Sequence, residues 1–217
     1  SEHPLFSGEY RQAYKQSDLI MNFGFTEGYK NTSNTKKSGN KSHFFSQFVK
    51  KFKGKKGSDN EFKLSLQKTS NKKYLKLYKI KNNLVNYESD ILENSLDFSH
   101  EYEDLFLGLK ASAYENLTEN NTSDQYEYIL PDILLDKNLF SSDKYGYADL
   151  QSNLIFHNFE TNKFTKFFIN DIDWKYKQFN YPSGLNGRLL GKLKNVNYEA
   201  KNTSVYKTDT THELFGA

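Results

Sequence analysis

The chain has 217 residues, 36% hydrophobic and 16% aromatic, with 16 Tyr and 18 Phe beside a single Trp. Its 30 basic and 27 acidic residues leave a net charge of +3, close to balance, which gives no general case for a nucleic-acid partner. Cysteine is absent, which excludes a disulfide framework, a thiolate metal site and a Cys nucleophile. No run approaches the roughly 20 consecutive apolar residues of a membrane-spanning helix.

A two-residue rhythm recurs along the chain, as in β-strands whose two faces meet different surroundings. Leu19, Met21, Phe23 and Phe25 alternate with Asn22, Gly24 and Thr26, and Tyr29 continues the apolar set. Phe62, Leu64 and Leu66 stand against Lys63, Ser65 and Gln67, and Leu105, Leu107, Leu109, Ala111 and Ala113 against Gly108, Lys110 and Ser112. Ala148, Leu150, Leu154 and Phe156 oppose Tyr147, Asp149, Gln151, Asn153 and His157, with Ser152 and Ile155 as exceptions. The pattern predicts strands over 7–16, 19–30, 43–53, 60–69, 88–100, 104–115, 125–136, 145–159, 164–177 and 184–199. The expected fold is all-β, an antiparallel meander of long amphipathic strands.

The connections alternate in length. Gln16-Ser17-Asp18 and Glu101-Tyr102-Glu103 make tight joins, whereas 31–42, 70–87 and 116–124 are longer and polar. Short turns at one end and long loops at the other describe outer-membrane barrels, and several strands reach the roughly 9–11 residues that a tilted strand needs to cross the hydrocarbon. Aromatic residues near strand ends suit an interfacial girdle, although AT-rich coding also produces a chain rich in Lys, Asn, Tyr and Phe.

Lys50, Lys51, Lys53, Lys55 and Lys56 concentrate positive charge around Gly54 and Gly57. Their setting beside Ser58, Asp59 and Asn60 has hairpin-turn chemistry, so a solvated turn is expected ahead of a phosphate-binding patch. His3, His43, His100, His157 and His212 are dispersed and form no HExxH motif or close pair. Asp171 and Asp173 share a strand face as paired catalytic acids would, but a solvated sheet also places acids at i and i+2. There is no nucleophile elbow, P-loop or GxGxxG, and no enzyme activity, metal or cofactor is expected. The Asn-x-Ser/Thr triplets at Asn31, Asn40, Asn116, Asn120, Asn121 and Asn202 arise by chance in an Asn-rich chain.

Residues 1–217 are expected to form a single unit. The chain begins at Ser1 without a signal peptide and stops at Glu213-Leu214-Phe215-Gly216-Ala217 rather than in a final strand with an aromatic end. It therefore reads as an internal piece of a longer protein, whose other strands would complete the wall.

Several segments, taken in order, resemble the LPS-assembly outer-membrane protein family (LptD, OstA or Imp). HPLFSGEYRQAY followed by LIMNFGFTEGY is similar to an early barrel hairpin of that family. LSLQKTSNKKYLKLYKI resembles a family strand and loop through Thr69, Ser70, Tyr74, Leu75 and Tyr78. NDIDWKYKQF and GLNGRLLGKLKNVNYEAKN resemble the barrel of alphaproteobacterial members through Asn170, Asp171, Asp173, Trp174 and the stretch Leu193 to Tyr198. Family members also carry a periplasmic jellyroll domain and, in many cases, linking cysteines, neither of which is present here.

The resemblance implies part of a large transmembrane β-barrel in the bacterial outer membrane. It would receive lipopolysaccharide from a periplasmic bridge protein, hold a small lipoprotein plug in its lumen and release its cargo into the outer leaflet. Membrane lipid would surround it, and nucleic acid would not be a partner. Alternation makes Asn22, Thr26, Lys63, Gln67, Lys110, Asp149, Gln151 and Asn153 the candidate lumen-facing residues. Another outer-membrane porin or receptor barrel, or a soluble β-sandwich or solenoid that binds carbohydrate, would share the strand rhythm.

Overall fold

A computed structural model describes residues 4–27, 39–118, 125–160 and 162–204, and the backbone of 210–216. The chain is all-β. Its main sheet contains β1 (Phe6–Ala13), β2 (Ser17–Thr26), β3 (Lys41–Lys53), β4 (Asp59–Thr69), β5 (Ile91–Tyr102) and β6 (Leu105–Asn116). It continues through β7 (Tyr126–Ser142), β8 (Gly146–Phe159), β9 (Lys163–Lys175), β12 (Leu190–Lys201) and β13 (Thr210–Gly216). These eleven strands lie in chain order, an antiparallel meander that is not closed. The strands β10 (Phe179–Asn180) and β11 (Asn186–Gly187) form a separate small hairpin, and the helix α1 (Tyr74–Tyr78) lies between β4 and β5.

All ten expected strands are present, with shifted ends; the expected continuation of the second strand at 28–30, including Tyr29, and the loop residues 31–38 and 119–124 lie outside the described residues. The join after β1 falls at 14–16, where the Tyr14 N–H donates to the Ser17 carbonyl at 2.7 Å. The strand expected from residue 184 begins at Leu190, because Tyr181-Pro182-Ser183-Gly184 closes a turn inside β10–β11, with Gly184 N–H donating to the Tyr181 carbonyl at 2.9 Å. One expectation is corrected: the closing residues, read as lying outside any strand, form β13. Its backbone pairs with β12 from Leu193 opposite Gly216 to Glu199 opposite Thr210. Thr210-Thr211-His212-Glu213 has too little apolar alternation to announce a strand, and the main-chain ladder supplies the order instead.

The chain divides into two compact units. The first comprises Ser1–Phe52, Glu61–Asp97 and Ser112–Tyr128, and the second Lys53–Asn60, Phe98–Ala111 and Ile129–Ala217. The first unit has an apolar cluster of Phe45, Tyr74, Leu75, Ile80, Val85, Leu92 and Leu117, with Leu5, Tyr78, Leu84 and Tyr87 packed against it. Complete burial of side chains such as Phe45, Tyr74, Leu75 and Leu92 stabilises by about 1.5–3 kcal/mol each, as an upper bound. In the second unit the buried apolar residues, among those described, are Ala148 and Ala200. There Gly146 starts β8 at φ +80, and a Cβ at this position would collide with the Lys175 carbonyl oxygen.

Candidate polar wall and its docked insert

Beside its apolar cluster, the first unit buries polar residues and exposes large apolar ones on the same strands. On β2, Asn22 and Thr26 are buried while Phe23 and Phe25 are 51% and 43% exposed. The register places Phe23 opposite both Gly8 and Phe44, and Phe25 opposite Phe6, so these rings share one face. Tyr10 and Met21 extend that face as another opposed pair. Asn22, Gly24 and Thr26 share the other face with Phe45 and His43 of β3. Further along, exposed Leu66 contrasts with buried Thr69 on β4, and exposed Leu96 with buried Ser95 on β5. One side therefore combines buried polar side chains with the apolar cluster around Phe45 and Leu92, and the other is an apolar surface open to its surroundings.

The segment 70–90 docks on the polar wall. Residues 70–87 are expected to be a polar loop and 88–90 the start of a strand; instead the segment carries α1, which ends where Lys79 turns left-handed at φ 48 and donates its N–H to the Leu75 carbonyl. Asn71 Oδ1 accepts from the Lys73 N–H at 3.0 Å, and Asn82 Oδ1 from the N–H groups of Leu84 and Val85 at 2.8 and 2.7 Å. These local asparagine turns fold the insert without a ladder. Its buried members Tyr74, Leu75, Ile80 and Val85 meet Phe45, Leu92 and Leu117. The periodicity of Tyr74, Leu75 and Tyr78 was the available signal for this element, masked by the surrounding lysines.

Polar contacts fix the docked position. His43 Nε2 is 2.8 Å from Asn22 Oδ1, and His43 Nδ1 is 3.1 Å from the Tyr74 hydroxyl. With Asn22 Oδ1 as acceptor, Nε2 carries the proton and Nδ1 accepts from Tyr74. Burial pushes the Tyr74 hydroxyl up to about 12, helped by the neighbouring Tyr78, so it remains a donor. Gly24 gives room for this arrangement: a Cβ there would lie 2.5 Å from His43 Cε1 and 3.1 Å from the Tyr74 oxygen. The imidazole stacks on Phe45 at 4.7 Å between centroids. Ser70 exchanges hydrogen bonds with Ser42, and Gln67 Nε2 donates to the Leu84 carbonyl at 3.2 Å.

Beside the insert, Asn94 replaces a backbone rung. Its Oδ1 accepts from the Gln67 N–H at 2.8 Å and its Nδ2 donates to the Gln67 carbonyl at 3.2 Å, while the Glu93 N–H donates to Gln67 Oε1 at 2.8 Å. Buried Leu92 and buried Ser95 are an odd number of residues apart, so the inward set changes parity here, as at a β-bulge.

The second unit holds a charged groove of about 390 Å³, lined by Asp136, Asp149, Gln151, Asp171, Asp173, Lys192 and Lys194 among others. Pairing sets Asp149 opposite Asp173 and Gln151 opposite Asp171, and continues to Lys192 and Lys194 on β12. Lys192 reaches Asp173 at 3.1 Å and Lys194 reaches Asp171 at 3.2 Å, while Asn138 Nδ2 donates to Asp149 at 2.8 Å. Asp171 and Asp173 thus each sit against a lysine, an arrangement that satisfies both charges. The same face becomes apolar further along, through Ile169, Val196, Ile155, Phe167 and Tyr198. The reverse face carries Leu150, Ile172 and Leu193, then an amide row in which Ser152 donates to Asn170 and Asn170 to Asn195.

The candidate residues named from the sequence separate between these places. Asn22 and Thr26 are buried on the polar wall, and Gln67 anchors the insert. Lys63 and Lys110 are partly buried on β4 and β6. Asp149 and Gln151 line the charged groove, and Asn153 sits one row beyond, opposite Ile169. The lysine-rich stretch is a turn through a 3-10 segment, Lys55–Gly57, with Lys51 paired to Glu61 at 3.2 Å and Lys53 to Asp59 at 2.5 Å. Among the described residues no group of three or more His, Asp or Glu side chains could hold a metal ion, and no helix is long and apolar enough to cross a membrane. Compared with known proteins, the chain matches no family model and no curated sequence.

Proposed function

We propose that this chain forms part of the wall of an outer-membrane β-barrel that delivers lipopolysaccharide to the outer leaflet. The observation that carries the membrane part is the burial of polar and exposure of apolar residues in the first unit: Asn22, Thr26, His43 and Ser95 inward, Phe6, Phe23, Phe25, Phe44 and Leu96 outward. Lipid stabilises such an apolar face, and a polar lumen accepts the other. Strands of 10 to 17 residues, β2 through β9, have the length that a tilted crossing requires. The cargo is supported by the sequence resemblance alone. On that reading the chain catalyses no reaction, a periplasmic bridge protein supplies the lipopolysaccharide, and a lipoprotein occupies the lumen.

The amide row Ser152, Asn170 and Asn195 favours a second reading, a soluble sheet that binds carbohydrate, because that row crosses a face that lipid would otherwise cover. Fractionation of cells expressing the protein as encoded separates the two. Retention in the outer-membrane fraction after urea extraction, lost in Phe23→Arg, supports the membrane wall. Recovery of the wild-type protein in the soluble fraction overturns it.

A further inference from the structure

Residues 176–189 join β9 to β12 at the end of the meander where the short turns 103–104 and 143–145 close β5–β6 and β7–β8. Instead of a tight turn they build β10–β11, a hairpin outside the main sheet. Phe179 stands opposite Gly187 and Asn180 opposite Asn186, and the Tyr181 N–H donates to the Leu185 carbonyl at 2.8 Å. Alternation makes this hairpin amphipathic. Phe179, Tyr181, Leu185 and Gly187 take one face; Asn180, Asn186 and Gln178, which donates to Asn180 at 3.3 Å, take the other. The Phe179 ring lies across Gly187 and meets Tyr181 edge-on at 5.6 Å between centroids, so the two rings brace each other. The apolar face is open: Leu185 is 68% and Tyr181 57% exposed, and Leu189 and Leu190 at the base are more than half exposed. Amphipathic rings and cations surround that base. Trp174 donates its Nε1–H to the Tyr145 carbonyl at 2.8 Å and stands 6.0 Å from Tyr176. Lys144 and Lys175 rest on the rings of Tyr145 and Tyr147 at 5.1 and 5.4 Å, contacts that leave each ammonium its charge. Segments 143–147 and 174–191 carry Lys144, Lys175, Lys177 and Arg188 against Asp143, which Lys177 reaches at 2.8 Å. The balance there is positive.

We propose that β10–β11 is an interfacial anchor that lays its Phe179, Tyr181 and Leu185 face into the anionic phospholipid surface of the leaflet at the short-turn end. The proposal rests on the outer-membrane reading and goes beyond it, because the wall strands cross the bilayer whereas this hairpin lies in its headgroup layer. Position supports the assignment: β9 ends at Lys175, so the hairpin starts where a crossing strand leaves the hydrocarbon. Charge complementarity selects the occupant. An apolar pocket on a protein would accept the leucine and the two rings without any basic margin, whereas an anionic surface attracts each Lys or Arg held near it. Tyr and Trp add an apolar body with a polar tip, a combination that is stable at that level.

Trp174 is the single tryptophan, so Trp174→Phe gives a silent background for placed reporters. Tyr181→Trp reads the hairpin and Phe23→Trp reads a wall strand, each in vesicles of phosphatidylcholine and phosphatidylglycerol whose acyl chains carry bromine either near the headgroup or near the bilayer centre. The hairpin reporter should emit further to the blue and be quenched most by the shallow bromine. Leu185→Asp should abolish that quenching, and Arg188→Gln should lower the ratio of inserted to free hairpin roughly fivefold, the effect of one cation at an anionic surface. If Tyr181→Trp fails to fold, Leu185→Trp is the second reporter, at an exposed position of the same face. An unquenched hairpin reporter beside a quenched strand reporter overturns the proposal and leaves the wall standing, whereas quenching of neither overturns both. Quenching that Leu185→Asp and Arg188→Gln leave unchanged overturns the proposal as well. So does a blue shift that follows protein concentration rather than lipid, which assigns the face to a second copy of the chain.

Discussion

Gly24→Ala isolates the docking of the insert from the integrity of the sheet. The added methyl would stand 2.5 Å from His43 Cε1 and 2.9 Å from Nδ1, so the imidazole must swing away and release both Asn22 and Tyr74. Overpacking of this kind costs about 1–3 kcal/mol. Leaving the buried Tyr74 hydroxyl unpaired adds about 1–3 kcal/mol. Against a loss of about 2–6 kcal/mol stands the burial of Tyr74, Leu75, Ile80 and Val85, at about 1.5–3 kcal/mol for each large side chain. The sheet should therefore survive while the undocked population rises at least about thirtyfold, since each 1.4 kcal/mol is a factor of ten. Lys72, Lys73, Lys76, Lys79 and Lys81 make the insert a trypsin target, and cleavage there follows the open population when reclosing is fast. Gly39→Ala is the control, because its Cβ meets nothing within 4 Å. Cleavage of Gly24→Ala within twofold of the wild-type rate would refute the account of the docked insert.

Raised proton affinity at Tyr74 gives a pH signature. The folded hydroxyl titrates at about 12 and the unfolded one near 10, so its contribution is complete below about pH 10 and is lost as pH rises through about 12. A spectrophotometric titration of tyrosinate should show one hydroxyl ionising at about pH 12 rather than near 10, and Tyr74→Phe should remove that late step. Phe23→Arg should impair membrane assembly by roughly 2–4 kcal/mol if that face meets lipid, whereas Lys110→Arg should not; equal folding yields in vesicles would contradict the assignment. Gly146→Ala should lower thermal stability by about 1–3 kcal/mol, because φ +80 and the Lys175 carbonyl both oppose a side chain; an unchanged melting temperature would count against that turn geometry. Asn94→Ala should cost about 1–3 kcal/mol by leaving the Gln67 N–H and carbonyl without their partner, as read by chemical denaturation.

Strands were legible because alternation is a local property: Leu19 to Thr26 announces both the strand and its faces. Which face would be buried was not local. Asn22 and Thr26 became interior only because a segment from elsewhere in the chain covers or lines that side, and His43 gave no sign of its role until β3 placed it opposite Gly24. The insert was missed for a related reason, since its helix has only five residues and its lysines outnumber its apolar positions. β13 was missed because its order comes from pairing with β12 rather than from its own composition.

The side-chain clamp of Asn94 on Gln67 has a consequence for how this sheet tolerates change. A tight turn fixes the alignment of most hairpins, but β4 and β5 are joined by residues 70–90, too long to dictate which residue faces which. An amide that occupies a rung acts as a key, admitting one alignment and excluding its neighbours by a residue either way. Because lengthening a loop adds closure cost only logarithmically, the insert is free to vary in length and charge while the frame beneath it keeps its alignment. New recognition surfaces could therefore be carried at this point without redesigning the wall.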